Sequence, residues 1–112
     1  MRIRFDSERA RDFLLSHGYV YTLRTWYSPR QVTALAISGG KPIGLVSISL
    51  IGEVPLDSEA LAKYVGGSGF SSVNEWINEF RRLNKGRKIK TAYLYRVELI
   101  EKKVTRRGLG FV

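Results

Sequence analysis

The segment at residues 18–27 carries the side chains of this chain that are best suited to recognising another molecule. As a strand, it would place Thr22, Arg24 and Trp26 on one face, because alternate residues of a strand point to opposite faces. A hydroxyl, a guanidinium and an indole on successive outward positions could contact a base or a phosphate. The opposite face would be apolar and aromatic, with residues Tyr19, Tyr21, Leu23, Thr25 and Tyr27. An alternative is equally open, namely a half-buried strand whose arginine pairs with a carboxylate and whose tryptophan closes the core edge.

The chain is strongly basic, which favours a polyanionic partner. Its 19 lysines and arginines against 10 aspartates and glutamates give a formal net charge of +9. Such a charge attracts polyanions from a distance, and nucleic acid is the commonest of them. The basic residues form three groups: Arg2, Arg4, Arg9 and Arg11; Arg81, Arg82, Lys85, Arg87, Lys88 and Lys90; and Lys102, Lys103, Arg106 and Arg107. We expect these groups to converge on one patch, the alternative being that they are solvated and serve solubility alone.

Composition argues against several classes of site. The chain has no cysteine, which excludes disulfides and thiolate metal sites, and its single histidine, His17, is too few for a histidine-based metal centre. Catalysis by Cys/His or Ser/His pairs also lacks components. We therefore predict no catalytic residue, no metal ligand and no cofactor. No window approaches the roughly 20 apolar residues of a membrane span, and the first residues lack the apolar stretch of a signal peptide, so a cytoplasmic location without a membrane partner is expected.

The 112 residues, 44% hydrophobic and 26% charged, predict one globular domain over residues 1–112. A short strand at residues 2–5 should be followed by a helix. We expect Asp6 or Ser7 to cap the start of this helix and Gly18 to end it, because a left-handed residue is favoured there. The strand at residues 18–27 comes next.

The rest of the chain predicts a hairpin, two helices and a long closing strand. Strands at residues 32–37 and 43–54 should pair in antiparallel fashion, with Lys41 exposed near the hairpin tip. A short helix at residues 58–65 should precede a second helix, which an S-x-x-E capping box begins at Ser72. In the closing strand at residues 91–101, Arg96 and Glu98 are two positions apart and therefore lie on the same side.

This order of elements predicts the fold class. Strands that do not alternate with helices argue against a parallel sheet and for an α+β domain, in which a mixed or antiparallel sheet curls into a small β-barrel flanked by about three helices. A glycine-rich loop at residues 66–69 lacks the lysine of a P-loop and does not follow a strand, so a plain connector is favoured over a phosphate site.

Several short segments across nearly the whole chain carry a family resemblance: a first helix ending near Gly18, Tyr-Thr-Leu-Arg at residues 21–24, Gly-Glu-Val at 52–54, Gly-Phe-Ser-Ser-Val at 69–73 and Tyr-Leu-Tyr-Arg-Val at 93–97. In these segments the sequence resembles the ASCH domain family, a branch of the PUA-like β-barrel superfamily. The segment after the first helix is typically Gly-x-Lys-Thr-x-Thr-x-Arg in this family. Thr22 and Arg24 match its last threonine and arginine, whereas no lysine lies between Gly18 and Arg24.

The resemblance implies a PUA-like barrel that binds RNA in a cleft beside the first helix and the second strand, with Thr22 and Arg24 in that cleft. One branch of the family hydrolyses acylated cytidines with a lysine and a threonine of this segment and a glutamate from the region before the later helix. Here the lysine is missing, and residues 66–72 contain no aspartate or glutamate.

We therefore predict a module that binds single-stranded or structured RNA. The expected contacts are Thr22, Arg24, Trp26, Tyr21, Lys41, Arg81, Arg82 and Arg96. The alternative is a small amidohydrolase acting on acylated cytidine nucleosides. A third possibility, a module whose charge serves an acidic protein partner, stays open.

Overall fold

A computed structural model describes residues 1–85 and 87–102 of the chain. The elements in chain order are β1 (Arg2–Arg4), α1 (Glu8–His17), β2 (Tyr19–Arg24), β3 (Val32–Ser38), β4 (Lys41–Pro55), α2 (Ser58–Leu61), a 3₁₀ turn (Val65–Gly67), α3 (Val73–Leu83) and β5 (Thr91–Lys102). This is an α+β fold with three helices and a five-stranded mixed sheet, as the order of elements predicts. The basic residues Lys103, Arg106 and Arg107 lie outside the described residues.

The sheet has the strand order β1-β3-β4-β5-β2. Its β3–β4, β4–β5 and β2–β5 pairs are antiparallel, and β1 pairs with β3 in parallel. The predicted hairpin is therefore confirmed. Strand pairing ends at β1 and β2, which are the two edges, so the sheet is open.

Two apolar clusters cover opposite faces of the sheet. The inner cluster consists of Ile3, Phe5, Ala10, Leu14, Val20, Ala34, Ala36, Val46, Ile48, Tyr95 and Val97. The outer cluster consists of Leu23, Leu61, Trp76, Ile77, Phe80, Ala92 and Leu94, where α2 and α3 pack on the ends of β2 and β5. Both faces of β2 are thus covered, and burial of these apolar surfaces is the main favourable term in forming the sheet.

The helix ends follow the local sequence signals. Ser7 caps α1 by accepting a hydrogen bond from the Ala10 N–H, and Gly18 ends it with φ +83°. Ser72 caps α3 by accepting from the Glu75 N–H. In a capping box the glutamate carboxylate accepts from the backbone N–H of the N-cap residue. Here the Glu75 carboxylate accepts instead from the backbone N–H and the hydroxyl of Ser71, the residue before the N-cap.

Three expectations from the sequence are corrected. The strand expected at residues 18–27 ends at Arg24, so Trp26 lies beyond β2. The helix expected at residues 58–65 ends at Leu61, and a separate 3₁₀ turn covers Val65–Gly67. The β2 face that carries Thr22 points inward, because the inner cluster packs against it: Val20 is fully buried and Thr22 is 7% exposed. Only the end of this face opens to solvent, where β2 stops.

No helix in the described part of the chain is long and apolar enough to cross a bilayer. The same residues contain no cluster of three or more potential metal-ligating side chains.

Candidate functional site

A cleft opens where β2 ends, between the start of α1 and the side of α3. Its volume is about 190 Å³. Its aromatic lining consists of Phe5, Tyr21, Trp26, Phe70, Trp76 and Phe80. Its polar lining includes Arg4, Asp6, Thr22, Arg24, Glu79 and Asn84. The cleft thus combines apolar ring surface with donors and acceptors, as small-molecule and base-binding pockets do.

Arg24, the last residue of β2, is the central polar group of this cleft. Its Nε donates to the Thr22 hydroxyl at 3.1 Å, and its Nη1 donates to the carbonyl oxygen of Arg4 at 2.7 Å. Its guanidinium carbon also lies 5.1 Å from the ring centroid of Phe5. A guanidinium has five N–H donors, so these bonds use two and leave three without an acceptor in residues 1–85 and 87–102.

The surroundings of Arg24 disfavour its charge. Desolvation by burial lowers the pKa of Arg24 to about 10, and the nearby Asp6 carboxylate offsets this only in part. Asp6 itself lies within 3.4 Å of Arg4, and no carboxylate of the described residues forms an ion pair with Arg24. Arg24 remains a cation at neutral pH, so a partly desolvated positive charge stands in the cleft without a matched anion.

Trp26 is held in place by Tyr95 of β5. The Tyr95 hydroxyl donates to the Trp26 carbonyl oxygen at 2.8 Å and accepts from the Ser28 N–H at 2.7 Å. The two rings lie 4.5 Å apart, centroid to centroid. Tyr95 is fully buried, and this desolvation raises its pKa, so the phenol stays neutral and can donate. The segment that follows β2 is therefore fixed against the inner cluster.

Glu79 of α3 also lines the cleft, but it is bound to a neighbouring arginine. Its two carboxylate oxygens accept from Nε and Nη2 of Arg82 at 2.7 and 2.9 Å. These bonds lower the pKa of Glu79. A general base works best with a pKa near the operating pH, and the ion pair moves Glu79 away from that value.

The structure brings together four of the predicted site residues. Thr22, Arg24, Trp26 and Tyr21 all line the cleft. The other four predicted residues do not line it. Arg81 and Arg82 lie in the last turn of α3, one side of which forms a wall of the cleft through Phe80 and Leu83.

Lys41 and Arg96 lie elsewhere on the sheet. Lys41 begins β4 at the tip of the β3–β4 hairpin, and it pairs with Ser38. Arg96 pairs with Tyr21 in the β2–β5 register, so its side chain is on the outer face, opposite to Thr22. Lys41 and Arg96, which were expected among the RNA contacts, therefore lie apart from the residues that line the cleft.

The contributions of α3 and β5 to the cleft were not predicted from the sequence. Glu79 and Phe80 lie three and four residues after Trp76, so the three side chains share one helix face, which the sequence did not connect with residues 18–27. Trp76 does pack, being 3% exposed, yet its edge also lines the cleft. No local signal indicated that Tyr95 would bond to residues 26 and 28.

Comparison of the chain with protein-family models, with curated proteins and with solved structures finds no match.

Proposed function

We propose that this protein is an RNA-binding module whose cleft accepts one unpaired base. The observation that carries the proposal is Arg24, a half-buried guanidinium at an aromatic cleft that uses two of its five N–H donors and has no paired carboxylate within the described residues. An acceptor-rich group bound in the cleft would accept hydrogen bonds from the remaining donors. A guanidinium can donate two parallel hydrogen bonds, which match two adjacent acceptors on a base edge or two phosphate oxygens.

The cleft walls favour a planar ring over a bare phosphate. Trp26, which is half-buried, supplies ring surface on which a base can stack, with a free energy of about 1 to 3 kcal/mol per stacked base. The cleft is small, at about 190 Å³, and we propose that a single ring system occupies it. The sugar and phosphate would then stay outside, close to Arg4, whose side chain is 74% exposed.

The net charge and the family resemblance support the same function. A formal charge of +9 attracts the RNA backbone without regard to sequence. We further infer that the fold is related to the PUA-like barrels, with its sheet left open between the two edge strands, which the Arg24 side chain bridges. The resemblance to the ASCH family implies an RNA-binding role for Thr22 and Arg24.

Hydrolysis of an acylated cytidine is the second candidate, because Thr22 and Glu79 both line the cleft. Binding is the better-supported function. The Thr22 hydroxyl already accepts a hydrogen bond from Arg24, and the ion pair with Arg82 depresses the pKa of Glu79. Turnover of acylated cytidines that is abolished in both Thr22→Ala and Glu79→Gln variants would reverse this preference.

The test is a fluorescence titration of single-stranded RNA at low salt with wild type, Arg24→Gln and Lys41→Gln. Arg24→Gln should weaken binding about tenfold or more, since a bidentate arginine contact contributes about 1 to 3 kcal/mol. Lys41→Gln removes the same charge at the remote hairpin tip and should have a much smaller effect. Equal losses in the two variants would show that bulk charge, and not the cleft, binds the RNA.

A further inference from the structure

The outer face of β2 carries a cation stacked on tyrosine rings. The β2–β5 register aligns Tyr21 with Arg96 and Tyr19 with Glu98, so these side chains share one face. The Arg96 guanidinium carbon lies 4.5 Å from the ring centroid of Tyr19 and 5.8 Å from that of Tyr21. We call the surface formed by Tyr19, Tyr21 and Arg96 the Arg96 ledge.

Packing from the other side fixes the rings of this ledge. A Cβ placed on Gly67 would lie 2.6 Å from Tyr21 Cδ2 and 2.9 Å from Tyr19 Cε2, so the 3₁₀ turn presses its backbone against both rings. Edge contacts with Phe13 and Tyr64, at centroid distances of 5.5 and 5.2 Å, hold them laterally. The guanidinium that rests on these rings is therefore ordered before any ligand arrives, which lowers the entropy cost of binding.

Arg96 keeps binding capacity beyond this packing. Its side chain is 37% exposed, and its one ion-pair partner among the described residues is Glu98, at 3.7 Å and 61% exposed. A surface ion pair of this length contributes little and is easily replaced. The guanidinium can thus stack one planar face on the tyrosines and offer its other face to a base and its N–H groups to a phosphate.

The ledge and the cleft meet at Tyr21. This residue lines the cleft, and its ring also lies beside Arg96. Lys63, whose ammonium lies 5.7 Å from the ring centroid of Tyr64, adds a further cation on this side of the sheet. Two adjoining surfaces with stacking groups and positive charge fit consecutive nucleotides of one strand.

We propose that the Arg96 ledge is a second nucleic-acid contact, which stacks a nucleotide neighbouring the one whose base enters the cleft. The ligand of this protein is then single-stranded RNA, because bases in a duplex are covered by their neighbours and offer no free face. This inference rests on the proposed function of the cleft.

The test compares a short single-stranded oligoribonucleotide, the same sequence in a duplex, and nucleoside monophosphates. Arg96→Gln should weaken binding of the single strand about tenfold and leave monophosphate binding unchanged, since a stacked base contributes about 1 to 3 kcal/mol. Arg96→Lys keeps the charge but lacks the planar guanidinium, so it should weaken binding of the single strand nearly as much as Arg96→Gln. Lys41→Gln is the charge-matched control, and circular dichroism verifies that each variant folds.

The outcomes separate the ledge from the cleft. If Arg24→Gln no longer binds the single strand while Arg96→Gln and Arg96→Lys bind it like wild type, the proposal for the Arg96 ledge is wrong and the proposal for the cleft is supported. Equal wild-type affinity for duplex and single strand would also overturn the ledge. Failure of the wild type to bind any RNA at low salt would overturn both proposals.

Discussion

Nη1 of Arg24, at the end of β2, donates a 2.7 Å hydrogen bond to the carbonyl oxygen of Arg4, at the end of β1. These strands are the two edges of the sheet, so a side chain spans the gap that backbone pairing leaves open. The same guanidinium is the central polar group of the cleft. Fold and proposed function therefore depend on one residue, and a substitution at Arg24 should affect both.

Arg24→Lys should lower both RNA affinity and stability. A lysine ammonium is a compact group, so it cannot donate to both Thr22 and Arg4 and still present two parallel N–H donors to a ligand. Loss of a hydrogen bond from a charged donor should cost about 1 to 3 kcal/mol in the free energy of unfolding. Urea denaturation and RNA titration measure the two effects, and a variant that matches wild type in both would contradict the bridging role.

Tyr95→Phe should destabilise the protein and weaken RNA binding through Trp26. Removing the hydroxyl leaves the Trp26 carbonyl and the Ser28 N–H without their partner, at a cost of about 1 to 2 kcal/mol. Trp26 would then lose its fixed position in the cleft wall. Thermal unfolding and RNA titration provide the measurements. Tyr27→Phe, at a ring that is 60% exposed, is the matched control and should change stability little.

RNA affinity should fall with salt in proportion to the phosphates that the protein neutralises. On a single strand, each neutralised phosphate contributes a slope of about −0.7 to the plot of log affinity against log salt. Arg96→Gln should reduce the magnitude of that slope by about this amount if its guanidinium contacts one phosphate. An affinity independent of salt would show that the charge of +9 plays no part in binding.

Glu75 should make the protein sensitive to acid. Hydrogen bonds from Ser71, together with Arg9 at 3.0 Å, lower the pKa of Glu75 below its ordinary value of 4.5. A lowered pKa means that this stabilisation is present above pH 4.5 and is lost as the pH falls through the folded-state pKa. Carboxyl NMR titration should find the depressed pKa, and Ser71→Ala should raise it.

Gly67→Ala and Gly66→Ala should differ sharply although they are adjacent. A Cβ at position 67 collides with the Tyr19 and Tyr21 rings, whereas one at position 66 meets nothing within 4 Å. Overpacking of this kind should cost about 1 to 3 kcal/mol in the free energy of unfolding at position 67, and close to nothing at position 66. Chemical denaturation of both variants checks the difference, and similar values would mean that the turn does not press on the rings.

Much of the fold was predictable because its signals are local. The serine caps, the left-handed Gly18 and the alternation of the strands depend on residues within a few positions of each other. The open sheet was not predicted, because closure depends on whether β1 and β2 meet, and these strands belong to the two edges of a sheet whose order differs from the chain order.

Composition and local patterning were enough to predict the α+β class, the strong positive charge and the candidates Thr22 and Arg24 on one strand face. Contacts between distant segments were needed to learn that this face points inward and opens only at the end of β2, that Arg96 lies on the opposite face, and that the Tyr95 hydroxyl bonds to a residue 69 positions away. The reason is physical: periodicity fixes which side chains share a face, but only packing between distant segments fixes which face is buried.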